Sequence, residues 1–242
     1  MSGHSKWSNI KRKKEKTDVQ KAKIFTKIGR EIAVAVKSGG PDPSVNGKLK
    51  DCIAKAKQNN VPNDNIERII KKAAGEGDGG NYEDIVYEGY GPGGVAVIVE
   101  TLTDNRNRTA GDLRHYFDKF GGNLGQTGSV MFLFERKGVL IIEKGGLDEE
   151  TTMEDAMACD ILDFISEDDV FEIQTETSAF PGVRDALEAK GYTFASAELA
   201  YLPVTETSLG EEELVKMNRL LEILGENDDV QEVWHNCDNA EE

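Results

Sequence analysis

The sequence predicts an α+β protein of several domains, a small helical bundle followed by two small α+β sandwiches. Two patterns along the chain predict it, and the charge distribution sets the first lobe apart. Residues 1–75 hold 18 Lys+Arg against 7 Asp+Glu, whereas residues 76–242 hold 11 against 38, in a chain of net charge −16. The apolar period changes from about 3.6 residues to about 2 across the glycine-rich stretch 75–81. Beyond that stretch, strand patterns alternate with helical ones in numbers too large for one ferredoxin-like sheet and suited to two.

Residues 17–37 place Phe25, Ile28, Ile32 and Val36 on one helical face. At roughly 100° per residue, Lys16, Lys23, Lys27, Arg30 and Lys37 fall on the opposite face. Ser38-Gly39-Gly40-Pro41 stops this helix. Asp42-Pro43 is expected to open a second helix running to about Asn59, with Leu49, Ile53 and Ala56 as its buried row. Val61-Pro62-Asn63 breaks the chain again, and a third helix carries Ile66, Ile69 and Ile70 to Ala74. Short amphipathic helices bury their stripes against one another, so a three-helix bundle is expected.

After the glycine stretch the expected strands are 83–89, 95–102, 128–135, 138–143, 169–174, 193–203 and 229–235, and the expected helices 110–120, 150–165, 181–190 and 209–224. Thr109 with Asp112 resembles a capping box for the first of these helices, Ser208 with Glu211 for the last, and Gly121-Gly122 ends the first.

Composition narrows the function classes. Three widely spaced cysteines (Cys52, Cys159, Cys237) argue against a disulfide framework and for a reducing compartment. MSGHSKWSNIKRKK has no apolar core of a secretory signal, and no apolar stretch has membrane-spanning length, so a soluble, cytoplasmic protein without a membrane partner is expected. A charge asymmetry of +11 against −27 between the two parts points to a polyanion gripped by the first lobe alone.

The first sixteen residues carry the strongest signal. Lys6, Lys11, Arg12, Lys13, Lys14 and Lys16 surround a single large aromatic, Trp7. Cations neutralise phosphates and release counterions, and an exposed indole stacks on an unpaired base. The competing reading is a solubilising arm with Trp7 folded onto the bundle. Lys23, Lys27 and Arg30 extend the basic surface along the first helix. Arg106 and Arg108, in Thr103–Thr109 between a strand and a helix, suit phosphate at a helix N-terminus, or else form ion pairs inside the sheet domain.

Other motifs read as structure. Gly89-Tyr90-Gly91-Pro92-Gly93-Gly94 matches a dinucleotide-binding string, but a strand pattern follows where a helix is needed, so it is a turn. GGNLGQTG (121–128) is either a backbone nest for an anion or a glycine-rich strand entry. The three histidines lack ligand-spaced partners, His235-x-Cys237 being poor zinc evidence. No catalytic residue, metal or cofactor is predicted, and the acidic runs read as solvated faces.

The segments SGHSKWSNIKRKK, KIFTKIGREI (23–32), NYEDIVYEGYGPGGVAVIVE (81–100), TDNRNRTAGDLRH (103–115), GGNLGQTGSVMFLF (121–134) and DDVQEVWHN (228–236) together resemble the YebC family, which includes the mitochondrial translational activator of cytochrome c oxidase. The resemblance runs from residue 2 to about 237. Lys21-Ala22 replaces the usual Arg-Gly, and Trp234 stands where tyrosine is common. The resemblance implies three domains: residues 1–80 as a basic helical bundle with its arm, 81–135 plus 204–242 as a middle ferredoxin-like α+β domain, and 136–203 as an acidic α+β domain inserted into it. It implies two functions. One is a DNA-binding transcriptional regulator. The other is a ribosome-associated translation factor that eases synthesis of proline-rich stretches, its arm binding ribosomal RNA with Lys6 and Trp7 deepest. The absence of a groove-reading motif favours RNA, with duplex DNA as the alternative. A protein partner on the acidic domains is a third expectation, and the sequence leaves the oligomeric state open.

Overall fold

The computed structural model describes residues 18–75 and 81–240. Among them are seven α-helices and two four-stranded antiparallel sheets. One compact unit is Phe134–Val204, and the other comprises the remaining described residues.

The helical lobe contains α1 (Asp18–Gly39), α2 (Gly47–Gln58) and α3 (Asn63–Ala74). Ile28, Ile32, Ala35 and Val36 of α1 are buried with Leu49, Cys52 and Ala56 of α2 and Ile66 of α3, as the apolar period requires. The start of α2 differs from expectation. Asp42 accepts from the Ser44 backbone at 2.9 Å in a local turn, and the helix begins four residues later, where Asn46 accepts from Leu49 N at 3.0 Å. The Asn46 amide also donates to the carbonyls of Ala35 and Gly40, each at 2.8 Å, so one buried side chain caps α2 and ties it to the end of α1.

The first sheet has the order β3-β1-β2-β8, built from β1 (Glu83–Tyr90), β2 (Ala96–Thr103), β3 (Asn123–Leu124) and β8 (Val230–His235). Helices α4 (Arg106–Lys119) and α7 (Glu211–Glu226) pack Leu113, Phe117, Met217, Leu220 and Leu224 against Val97 and Val99. The caps again differ from those predicted. Asn105 caps α4, accepting from Arg108 N at 3.1 Å, and Thr109 is buried inside the first turn. Gly210 precedes α7, and the Ser208 hydroxyl is bonded instead to Asp238. Glu211, Glu212 and Glu213 offset the missing side-chain cap by placing negative charge at the positive end of the helix dipole. Gly121 ends α4 as expected, at φ 84°.

The Phe134–Val204 unit holds β4 (Phe134–Glu143), α5 (Glu149–Met157), β5 (Asp163–Ser166), β6 (Val170–Thr175), α6 (Phe180–Ala189) and β7 (Ser196–Pro203). The chain order βαββαβ with strand order β5-β6-β4-β7 is the ferredoxin-like arrangement. Both helices cover one face, where Leu140, Ile142, Phe171, Ile173, Phe180 and Leu187 form the core.

Two expected elements change here. The strands at 128–135 and 138–143 are a turn and then one strand, because the 128–131 backbone is bent around a carboxylate described below. Gly138 does not break the strand. It lies within it, where any Cβ would collide with Thr175 and Phe180, and so lets α6 approach the sheet. The helix expected over 150–165 stops at Met157, and Asp163–Ser166 becomes β5. Ile161, Leu162, Phe164 and Ile165 fit either period. The open edge of β6 decides, taking Leu162 N on Gln174 O at 2.7 Å and pairing Phe164 with Ile173.

Candidate nucleic-acid interface

Lys6, Trp7, Lys11, Arg12, Lys13, Lys14 and Lys16 lie outside the described residues. On α1 the expected basic stripe is partly engaged. Lys27 donates to Gly225 O at 3.0 Å, and Arg30 donates to Asp228 O at 2.8 Å while its guanidinium sits 5.7 Å from the centre of the Tyr82 ring. These carbonyls belong to the last turn of α7 and the bend that follows, where unpaired acceptors and the negative end of the helix dipole favour a cation. The Arg30–Asp229 pair at 3.5 Å and Lys55–Glu232 at 3.2 Å add to this seam between the helical lobe and the first sheet domain. Lys23 is half-buried and, with Arg30, Tyr82, Arg108 and Asp228, lines a cleft of about 530 Å3.

The two arginines of the strand–helix loop part ways. Arg106 is exposed, its carbonyl accepting from the Tyr87 hydroxyl at 3.4 Å. Arg108 bridges Asp104 at 2.8 Å and Asp229 at 2.7 Å. Asp229 is buried and also meets the Thr109 hydroxyl at 2.8 Å and the Thr103 hydroxyl at 3.2 Å. Burial alone would raise its pKa, but the bonds from Arg108 and Thr109, the arginine charge and the Thr103 bond outweigh it, and the carboxyl titrates below its ordinary value.

Glu88 behaves in the same way. It is buried on β1 and accepts from the backbone N–H groups of Gly128 (2.6 Å), Val130 (2.8 Å) and Met131 (2.8 Å). Burial opposes its ionisation, and these three bonds prevail, so its pKa is lowered too. The end of the glycine-rich segment is thus an anion nest, and its anion is the chain's own carboxylate. Both groups bind fewer protons in the folded than in the unfolded chain. Their stabilisation is therefore complete above the unfolded carboxyl pKa, about 4, and is lost as pH falls through the folded values. The urea midpoint is expected to drop between about pH 6 and about pH 3 and to drop less in Asp229→Asn. An unchanged pH dependence in that variant would remove Asp229 as a source.

The remaining motifs resolve into structure. Gly91 N donates to Val95 O at 2.7 Å, closing the Gly-Tyr-Gly-Pro-Gly-Gly segment into a turn that leads into β2. His235 Nδ1 accepts from Cys237 N at 3.2 Å, a local turn. Burial, with Glu31 nearby, pushes the Cys52 thiol up to about 12, so it is protonated at neutral pH. Among the described residues no helix is long and apolar enough to cross a membrane.

The TACO1/YebC protein N-terminal domain family matches residues 5–76, and the TACO1/YebC second and third domain family matches residues 82–237. The chain belongs to the TACO1/YebC family. TACO1/YebC relatives named "probable transcriptional regulatory protein" are 60% identical over 238 residues in Acetivibrio thermocellus, covering 98% of each chain, and 58% identical over 242 residues in Caldicellulosiruptor saccharolyticus, covering all of both. The crystal structure of a conserved hypothetical protein from Aquifex aeolicus is similar at TM-score 0.82 and 43% identity, covering 94% of each chain.

In this TACO1/YebC chain the helical lobe also exposes cations outside the predicted set. Arg68, Lys71 and Lys72 project from α3, and Lys57 from the end of α2. Their signal was present in the sequence. Positions 68, 71 and 72 are spaced i, i+3, i+4 on a helix whose apolar residues are Ile66, Ile69 and Ile70, the same arithmetic that marked α1. Asp229 as the partner of Arg108 had no such signal, since the two are 121 residues apart.

Proposed function

We propose that the chain is a non-enzymatic regulator of gene expression that grips nucleic acid through its basic N-terminal lobe, residues 1–80, with ribosomal RNA as the favoured ligand. In this reading it acts as a ribosome-associated translation factor on difficult, proline-rich stretches. The observation that carries the reading is the charge split: +11 over residues 1–75 against −27 beyond them. Repulsion from the acidic remainder confines a polyanion to the first lobe. There Lys6, Lys11, Arg12, Lys13, Lys14, Lys16 and Lys23 supply phosphate contacts and Trp7 stacks on an unpaired base, while Arg106, outside that lobe, is an outlying contact at its border. Lys27, Arg30 and Arg108 take part only where phosphate displaces their present acceptors. The acidic module at 136–203 supplies no phosphate contact in this reading.

A second reading, a DNA-binding transcriptional regulator, is favoured by the names of the relatives. Competition at near-physiological salt separates the two. Labelled full-length protein is challenged with ribosomes and with duplex DNA. Ribosomes displacing the label orders of magnitude better than duplex supports the translational reading. Duplex DNA competing equally or better, with sequence preference, supports the transcriptional one.

A further inference from the structure

We propose that the outer flank of α5, in the Phe134–Val204 unit, docks a basic amphipathic helix of a protein partner. The inner side of α5 is accounted for: Thr152 and Ala156 are buried, and Asp155 is held by Lys190 and, at 2.8 Å, by the Tyr192 hydroxyl. The outer side carries Met153 and Met157, 36% and 64% exposed and one helical turn apart. Leu147 on the link into the helix and Leu162 on the link out of it are 44% and 48% exposed. At roughly 100° per residue, Glu149 flanks the two methionines on one side, Glu150 and Glu154 on the other. Exposed Asp160 and Asp163 bracket the region of Leu162.

Two observations choose the occupant. The first is charge: residues 134–204 hold 17 Asp+Glu against 5 Lys+Arg, so a cationic partner is attracted and an anionic one repelled. The second is side-chain chemistry. Methionine is unbranched and polarisable, repacks around varied apolar partners, and with an acidic rim suits a helix presenting Leu or Ile on one face and Lys or Arg beside it. None of these residues belongs to the proposed nucleic-acid contact, and the proposal does not depend on that reading.

The test uses the full chain and a fluorescent synthetic peptide of Leu and Lys, about 18 residues or five turns long, arranged as an amphipathic helix. A scrambled peptide of the same composition is the control. The amphipathic peptide is expected to bind at least about tenfold tighter than the scrambled one, and Met153→Glu/Met157→Glu to weaken it at least about tenfold, with circular dichroism and the thermal midpoint unchanged. Glu150→Lys/Glu154→Lys is expected to weaken binding and flatten its salt dependence. Should the Glu pair disturb the fold, Met153→Ser/Met157→Ser replaces it. Equal binding of the two peptides, or unchanged affinity in the methionine variants, overturns the proposal. Self-association abolished by the methionine substitutions, with no peptide binding, also overturns it by making a second copy of the chain the occupant.

Discussion

Glu88→Ala is expected to lower unfolding stability by about 3–5 kcal/mol. Its carboxylate satisfies three backbone donors that no strand or helix partner serves. A buried donor left without an acceptor costs about 1–3 kcal/mol, and bonds to a charged acceptor are the stronger kind. At about 2–4 °C per kcal/mol for a chain of this size, the thermal midpoint should fall by roughly 10 °C. Glu88→Gln retains one acceptor oxygen and should lose about half as much. Thermal unfolding followed by circular dichroism checks both. A midpoint within a degree or so of wild type would mean the 128–131 turn finds other acceptors.

Deleting residues 1–16 is expected to reduce affinity for single-stranded RNA at least about a hundredfold at physiological salt. With five to eight phosphate contacts, the intact chain should show a log–log salt slope of about −3.5 to −6. Six cations leave with the arm, which takes about 4 units from that slope if all of them contact phosphate. Exchanging Trp7 for alanine in the intact chain separates stacking from charge: affinity should fall about 5- to 100-fold with the slope unchanged. Fluorescence anisotropy across a salt series reads all three. A flat salt response in the intact chain would sink electrostatic docking, and a Trp7 variant with a lowered thermal midpoint would assign the indole to the bundle core.

How much of this was legible before the structure depends on whether the deciding partner is near in sequence. The α1 stripe of Ile28, Ile32 and Val36 follows from local period alone and is buried as expected. The helix caps are local too, but hydroxyl patterns at Thr109 and Ser208 pointed away from the capping asparagine at 105 and the glycine at 210. The β5 segment is ambiguous because four apolar residues in five positions satisfy both periods, and only the edge of β6 settles it. The basic stripe of α1 was legible as a stripe. That Lys27 and Arg30 turn toward the end of α7 was not, because their acceptors lie 198 residues away. Likewise GGNLGQTG was legible as a nest or a strand entry and 128–135 as a strand, while the carboxylate that bends 128–131 into a turn sits 40 residues upstream of Gly128.

The pairing of Phe134 with Pro203 brings the two ends of the Phe134–Val204 unit together. Antiparallel partners stand about 5 Å apart, so the chain enters and leaves the Phe134–Val204 unit through openings one strand-width from each other. A whole folded module is therefore spliced into the chain between two neighbouring points. The first sheet draws none of its strands from that module, so an exchange of the module between its two ends leaves the strand order β3-β1-β2-β8 as it is.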